Sequence, residues 1–154
     1  MSTLALSPPR TGRDLIDPGL FARLTTRLAT DHPDLADMAE RVVDQTFAFL
    51  ATAATSAIPL RPSRTIDYGW HIALMYTRDY ADFCQRAAGR FLDHVPDDDP
   101  ARDRPVNVCA LGTTVVAMRQ AGYEVDADLW GHAADCNGKC SQCYQGCHDD
   151  PREV

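Results

Sequence analysis

The chain has 154 residues, a formal net charge of −7 and 24% charged residues, which fits one globular domain with its own core. The negative charge disfavours nucleic acid as a partner, because phosphate contacts require clustered Lys and Arg. No apolar run reaches the roughly 18 residues that a membrane-spanning helix needs, so we expect no membrane partner.

Residues 1–17 are expected to form a flexible N-terminal segment. This segment contains Arg10 and Arg13 but no apolar stretch of the kind found in a secretory signal, so we expect a cytoplasmic protein. Lys139 is the single lysine among 15 basic residues, a bias that is typical of GC-rich bacterial genomes.

Residues 18–130 are predicted to form an all-α domain, a compact single-domain bundle of about five helices. Pro18 suits the first turn of the first helix, and Asp31 or Asp34 is expected to cap the second helix over residues 35–56. The apolar stripe of the first helix is Leu20, Phe21, Leu24 and Leu28, and that of the second is Leu35, Met38, Val42, Val43, Phe47, Phe49, Leu50 and Ala53.

Prolines and turn residues divide the rest of this domain. Pro59 and Pro62 prevent helix continuation, so residues 58–63 are predicted to be a connector. Residues 97–105 are predicted to be a charged, proline-broken loop. The remaining predicted helices are one capped by Thr65 that ends at Tyr76, one over 78–88 capped by Thr77 and ended by Gly89, and one over 106–121 ended by Gly122.

The C-terminal residues 131–154 carry most of the cysteines and are predicted to form an irregular metal-binding tail. Four of the six cysteines follow the spacing C-x3-C-x2-C-x3-C, and histidines flank this run on both sides. Thiolates and imidazoles at this density suit zinc, Cu(I) or an iron–sulfur cluster, and they suit magnesium or calcium poorly. The candidate metal ligands are His132, Cys136, Cys140, Cys143, Cys147 and His148.

The spacing of these cysteines favours a folded knuckle over one straight helix. On a helix the four sulfurs would share an arc of roughly 60°, but the outer two would lie roughly 16 Å apart along the axis. One tetrahedral ion with Zn–S bonds of about 2.3 Å cannot span that distance. Gly138 and Gly146 also disfavour an unbroken helix, so we expect the cysteines to converge.

Zinc is the favoured ion for the knuckle, and two alternatives remain open. Cys136, Cys140 and Cys143 form a C-x3-C-x2-C triad that also suits an iron–sulfur cluster. A pair of disulfides could instead pin the tail, but this would require an oxidising compartment.

A second constellation of candidate residues lies in the middle of the chain, at His71, Cys84 and His94. His71 follows Trp70 within a predicted helix, so one interpretation is a partly buried core histidine bonded to Asp67 one turn earlier. The alternative interpretation joins the three candidates as metal ligands or as an acid–base cluster.

The bolder hypothesis for this region is that His71 and His94 face a common polar cavity. A carboxylate that holds the second nitrogen of a histidine is common to metal ligands and general bases. The competing expectation places His94 on a loop with its ring in solvent. The expected neighbours of the two histidines are Asp67 and Asp93 as carboxylates and Trp70 and Phe91 as walls.

The pattern Asp67-x-x-Trp70-His71, then Tyr80-x-x-Phe83-Cys84, Gly89 and His94, resembles the bacterial glycine-rich domain-containing protein-like family. This family shares a Trp-His helix pattern with the plant glycine-rich domain proteins. The resemblance covers roughly residues 60–96 and, more weakly, the Cys-rich tail. It implies a helical architecture and a recurring role for the two histidines, but it identifies no reaction. The nine glycines of this chain are scattered, unlike the glycine-rich region of the plant family.

The sequence therefore predicts a small metal-binding protein that uses the thiolate site of its tail, with a protein partner or a small-molecule substrate as a further partner. The alternatives are an iron–sulfur protein and a small metalloenzyme or accessory subunit in bacterial metabolite or peptide tailoring, with a second site around His71 and His94. No phosphate-binding glycine loop, G-x-S-x-G or H-E-x-x-H motif is present in the sequence.

Overall fold

The computed structural model describes residues 7–95 and 110–131. Over these ranges the chain is an all-α fold, as predicted, and none of its helices there is long and apolar enough to cross a membrane. Two short 3₁₀ helices, Arg13–Leu15 and Pro33–Met38, supplement the α-helices. The α-helices are α1 Pro18–Asp31, α2 Ala39–Thr55, α3 Arg64–Met75, α4 Thr77–Ala88, α5 Ala110–Gln120 and α6 Ala127–Trp130.

Helix α2 is the centre of the bundle and packs against α1, α3, α4 and α5. Apolar side chains at the predicted positions Val42, Phe49 and Leu50 are fully buried. The burial extends around the helix and includes Thr46 and Thr52, whose hydroxyls donate to the carbonyls one turn earlier. These bonds within the helix allow two polar residues to face the core without an unpaired hydroxyl.

The apolar stripe predicted for α1 is confirmed, because Leu20, Phe21, Leu24 and Leu28 are all buried. The prediction for the start of the second helix is wrong. A 3₁₀ helix occupies Pro33–Met38 before α2, and the side chains of Asp31 and Asp34 cap neither element. Asp31 instead forms an ion pair with Arg27 on α1.

Helix α3 begins one residue before the predicted cap. Ser63 is the N-cap and accepts a hydrogen bond from the Ile66 amide, so Thr65 lies inside the first turn. The Ser63 hydroxyl also donates to the carbonyl of Leu129 at 2.7 Å. One serine therefore caps α3 and joins it to α6. The predicted capping of α4 by Thr77 is also wrong, since Thr77 is its first residue and no side chain caps it.

Helix α3 approaches α2 closely because residue 69 is a glycine. A Cβ at Gly69 would lie 2.1 Å from the hydroxyl oxygen of Thr46 and 3.1 Å from a methyl of Val42. No side chain fits into that space. Gly69 therefore sets the distance between the two helices.

The last described residues contain an element that the periodicity did not predict. Helix α5 corresponds to the predicted helix that Gly122 ends, and Gly122 has the positive φ expected there, +87°. Helix α6 follows after a short connection and is only four residues long. Its last residue, Trp130, is buried.

The N-terminal segment, expected to be flexible, packs on the bundle over its described part. The Arg10 amide donates to the Gly122 carbonyl at 2.8 Å, and the Arg13 amide donates to the Asp44 carboxylate at 2.8 Å. Ile16 belongs to the core. The predicted loop over 97–105, the start of the last predicted helix and the Cys-rich knuckle lie outside the described residues.

Candidate metal centre

Asp67 and His71 lie one turn apart on α3. Ser63 caps the helix and places Asp67 in its first turn, where the exposed backbone amides favour a carboxylate. Residues four apart lie on the same helix face, so both side chains project to the same side. The His71 Nε2 atom lies 3.7 Å from Asp67 Oδ2.

His94 reaches this face from the segment that follows α4. Gly89 ends α4 with φ +65°, a left-handed conformation that glycine adopts without strain and that was predicted for this position. The chain then returns toward α3, and His94 Nε2 forms a 2.7 Å hydrogen bond with Asp67 Oδ1. The two histidines therefore lie near different oxygens of one carboxylate.

The three residues Asp67, His71 and His94, named here the Asp–His–His cluster, each offer one ligand atom within 4.8 Å of the others. The two imidazole rings are 4.5 Å apart between centroids. Ligands of a tetrahedral zinc with bonds of about 2.0–2.1 Å are separated by about 3.3 Å. The separations of the two imidazole nitrogens from the Asp67 carboxylate, 2.7 and 3.7 Å, lie on either side of this value.

The cluster is covered on one side and open on the other. The exposed fraction of the side chain is 15% for His94, 34% for Asp67 and 50% for His71. An ion or small molecule can therefore reach the cluster from the side of His71, while His94 is held against the protein.

Aromatic rings cover the protein side of the cluster. Trp70 makes an edge contact with His94 at 4.5 Å between centroids, and Phe49 of α2 contacts Trp70 at 5.6 Å. Trp130 of α6 also contacts Phe49, at 6.2 Å between centroids. This row of rings links His94 to the core.

Tyr80 of α4 connects the two chain segments that supply the cluster. The Trp70 indole donates to the Tyr80 hydroxyl at 2.9 Å, and this hydroxyl donates to the Leu92 carbonyl at 2.6 Å. Burial raises the pKa of Tyr80, and the nearby Cys84 thiol acts in the same direction. The phenol is therefore neutral at physiological pH and keeps the proton that it donates.

Of the three candidates His71, Cys84 and His94, the structure brings the two histidines together. His71 is half exposed, so its interpretation as a core histidine is wrong, although its predicted neighbour Asp67 is present. His94 lies outside the helices, but the expectation that its ring is in solvent is wrong, because Asp67 and Trp70 contact it. Cys84 is fully buried in the hydrophobic core and is not among the ligand atoms of the cluster.

The expected surroundings of the histidines are only partly present. Trp70 forms a wall, as expected, whereas Phe91 is half exposed and packs on the edge of Tyr80. Asp93 is exposed and does not belong to the cluster, but Asp67 does, as a ligand candidate in its own right. In the sequence, the i,i+4 spacing of Asp67 and His71 indicates that the two side chains share one helix face.

The thiol and histidine candidates of the tail lie outside the described residues. Cys109 also lies outside them. The tail candidates that lie outside the described ranges are His132, Cys136, Cys140, Cys143, Cys147 and His148.

A comparison with protein-family models finds a match that covers more than half of the chain. The match to the UCP032817-like family runs over residues 14–106, which include the whole Asp–His–His cluster and exclude the Cys-rich tail. No curated protein and no solved structure matches the chain. The chain belongs to the UCP032817-like family.

Proposed function

We propose that this protein binds a divalent transition-metal ion through Asp67, His71 and His94, and that zinc is the preferred ion. The observation that supports this proposal is the convergence of two imidazoles and one carboxylate within 4.8 Å. Two imidazoles and one carboxylate form a recurrent ligand set of zinc and non-haem iron proteins.

The geometry favours a metal ligand set over a simple structural hydrogen bond. A bond between Asp67 and His94 alone would hold the loop to α3 and would need no second imidazole. His71 adds a second nitrogen near the other carboxylate oxygen and is half exposed, so it contributes little to packing. A bound ion gives a common partner to all three side chains.

The ligand types narrow the choice of ion. Imidazole nitrogens suit zinc, copper, iron and nickel, whereas magnesium and calcium prefer a shell made wholly of oxygens. Zinc accepts three protein ligands in tetrahedral geometry and leaves the fourth position to water or substrate. The open side at His71 provides room for that fourth ligand.

The tail is proposed to hold a separate thiolate site. The cysteines Cys136, Cys140, Cys143 and Cys147 suit zinc, and an iron–sulfur cluster or Cu(I) are the alternatives for this site. Removal of its metal should leave the helices folded, because the core is built from residues 16–130.

A small metalloenzyme is the second candidate function, and the open side of the cluster favours it. Structural zinc sites use four protein ligands, whereas catalytic sites keep one position for water. A zinc-bound water has its pKa lowered to about 7 and supplies hydroxide near neutral pH. The substrate would be a small molecule or a peptide that approaches from the His71 side.

Zinc titration of a full-length variant tests the proposed site. In this variant the four tail cysteines are replaced by serine and His132 and His148 by alanine, so that the candidate ligands of the tail do not contribute to the measured binding. We expect calorimetry to show about one zinc per chain. Asp67→Asn, His71→Ala and His94→Ala should each abolish this binding, and circular dichroism should show retained helicity.

His32→Ala is the matched control for the loss of an imidazole. His32 is a partly buried histidine that stacks on Tyr68 at 4.5 Å and does not belong to the cluster. Its removal should leave the zinc affinity unchanged. Failure of this full-length tail variant to bind zinc, or equal binding after His94→Ala, would overturn the proposal.

A further inference from the structure

We infer that Tyr80 is the positioning residue of the metal centre, because its hydroxyl joins the segment that carries His94 to the helix that carries His71. This inference rests on the proposed function, since it concerns how strongly the Asp–His–His cluster holds an ion. Tyr80 itself is not a ligand candidate and does not belong to the cluster.

The hydrogen-bond directions at Tyr80 follow from the chemistry of its partners. An indole nitrogen only donates, so the Tyr80 oxygen accepts from Trp70 at 2.9 Å. A carbonyl only accepts, so the single phenol proton is donated to Leu92 at 2.6 Å. Since the phenol stays neutral, this arrangement is constant over the physiological pH range.

Both partners of Tyr80 lie next to ligand candidates. Leu92 is two residues before His94, and Trp70 directly precedes His71 in α3. Trp70 also contacts the His94 ring. One buried hydroxyl therefore bridges the two histidine-bearing segments, in addition to the bond between Asp67 and His94.

The segment with His94 depends on such contacts because it has no helix of its own. Residues 91–95 have no regular secondary structure, and α4 ends at Ala88. The Phe91 ring, packed on the edge of Tyr80 at 5.2 Å, is half exposed. Removal of the hydroxyl frees the Leu92 carbonyl, so His94 would have to be ordered when the ion binds.

Zinc titration of Tyr80→Phe, made in the full-length tail variant described above, tests this role. Loss of a residue that orients a metal ligand typically weakens metal affinity about 10- to 100-fold. We expect a rise of at least about tenfold in Kd, with about one zinc per chain retained. The visible absorption of the cobalt(II) form should shift as well, because ligand geometry determines that spectrum.

Tyr123→Phe is the matched control, since it removes another buried phenol hydroxyl. Tyr123 is 4% exposed and Tyr80 is 2% exposed. Within the described residues the Tyr123 hydroxyl has no hydrogen-bond partner, and neither Trp70 nor Leu92 bonds to it. Tyr123→Phe should leave both the zinc affinity and the cobalt spectrum unchanged.

Trp70→Phe provides a second variant that decides the question if Tyr80→Phe does not fold. It removes the indole donor and keeps the bond from Tyr80 to Leu92, so it should weaken zinc binding by a smaller factor, about threefold to tenfold. Unchanged zinc affinity in a folded Tyr80→Phe, or in Trp70→Phe if the former does not fold, would overturn the inference.

The two proposals fail in different ways. If the parent variant binds zinc and His94→Ala does not, the proposed function stands whatever Tyr80→Phe shows. If the parent variant itself binds no zinc, the proposed function fails and the positioning role fails with it.

Discussion

Two polar clusters at helix junctions of this protein differ in how their polar side chains are partnered. The first is the Asp–His–His cluster between α3 and the segment after α4. The second, named here the Gln45 junction, joins the start of α2 to α6 and comprises Arg41, Gln45, Asp126 and Trp130. Both contain charged or polar groups that come from distant parts of the chain.

The polar atoms of the Gln45 junction are paired with groups of the protein. The Gln45 side chain is buried; its oxygen accepts from the Asp126 amide and the Trp130 indole, and its nitrogen donates to the Glu124 carbonyl. Arg41 makes two parallel bonds to the Asp126 carboxylate, at 2.7 and 2.8 Å. Such pairing stabilises a fold, and Arg41, Gln45 and Asp126 also line a surface pocket.

The Asp–His–His cluster differs, since its three candidate ligand atoms lie within 4.8 Å of one another and are of the kinds that transition-metal ions bind. The proposed binding site therefore differs from the structural network in the convergence of its candidate ligand atoms, and not in its number of polar groups. Substitutions in the two clusters should therefore separate stability from metal binding.

Gln45→Leu should have the largest effect on stability and none on zinc affinity. Leucine has a similar volume, so the loss comes from a buried indole, an amide and a carbonyl left without a partner. We expect the free energy of unfolding to fall by about 3 kcal/mol. Urea denaturation would measure it.

Gln85→Leu on the exposed face of α4 is the matched control and should change the free energy of unfolding by less than about 0.5 kcal/mol. A similar loss in both variants would contradict the structural role of the junction. A loss of zinc binding in Gln45→Leu would show that the two clusters are coupled.

Gly69→Ala should affect both properties, because it displaces the helix that carries two of the ligand candidates. The new methyl would overlap the Thr46 hydroxyl, so α3 must shift away from α2. Overpacking of this kind costs about 2 kcal/mol, and zinc affinity should fall in parallel. Combination with Thr46→Ala, which removes the nearest atom, should recover part of both losses. No recovery in the double variant would locate the strain elsewhere.

Asp126→Asn should have the smallest effect, and this effect should depend on pH. The hydrogen bonds from Arg41 hold the pKa of Asp126 below its ordinary value of 3.8. A lowered pKa means that the ionised carboxylate contributes stability at neutral pH and that this contribution is lost as pH falls through the folded-state pKa.

The destabilisation by Asp126→Asn should therefore be at most about 1 kcal/mol at neutral pH and should shrink at about pH 3. Urea denaturation at both pH values would measure it, with the exposed Asp37→Asn as a control that changes little at either. A constant difference at both pH values would show that the charge of Asp126 is not its source.

Local sequence patterns predicted the helices that are long enough to show an apolar periodicity. The stripe of α1 and the glycine at the end of α4 follow from side-chain periodicity and from backbone conformation, which are both local. Helix α6 is shorter than two helical turns, so no periodicity could reveal it. The start of α2 was misjudged because a 3₁₀ helix and an α-helix share similar apolar spacing.

The candidate site could be predicted only in part. Asp67 and His71 are related by helical spacing, which is visible in the sequence. The approach of His94 depends on the path of the chain after Gly89 and on the bond from Tyr80 to Leu92, and neither is encoded in a local pattern. The thiolate site of the tail and the resemblance to the glycine-rich domain-containing protein-like family stay predictions.

The row of rings from Trp130 through Phe49 to Trp70 has an optical consequence. The chain has two tryptophans, and Trp70 is the one whose ring touches His94. Its indole emission is therefore sensitive to the charge placed on the neighbouring imidazole. With Trp130 replaced by Phe, the tryptophan fluorescence of the protein would come from Trp70 alone. The protein thus contains its own fluorophore at the edge of the site, and events there can be followed without an added label.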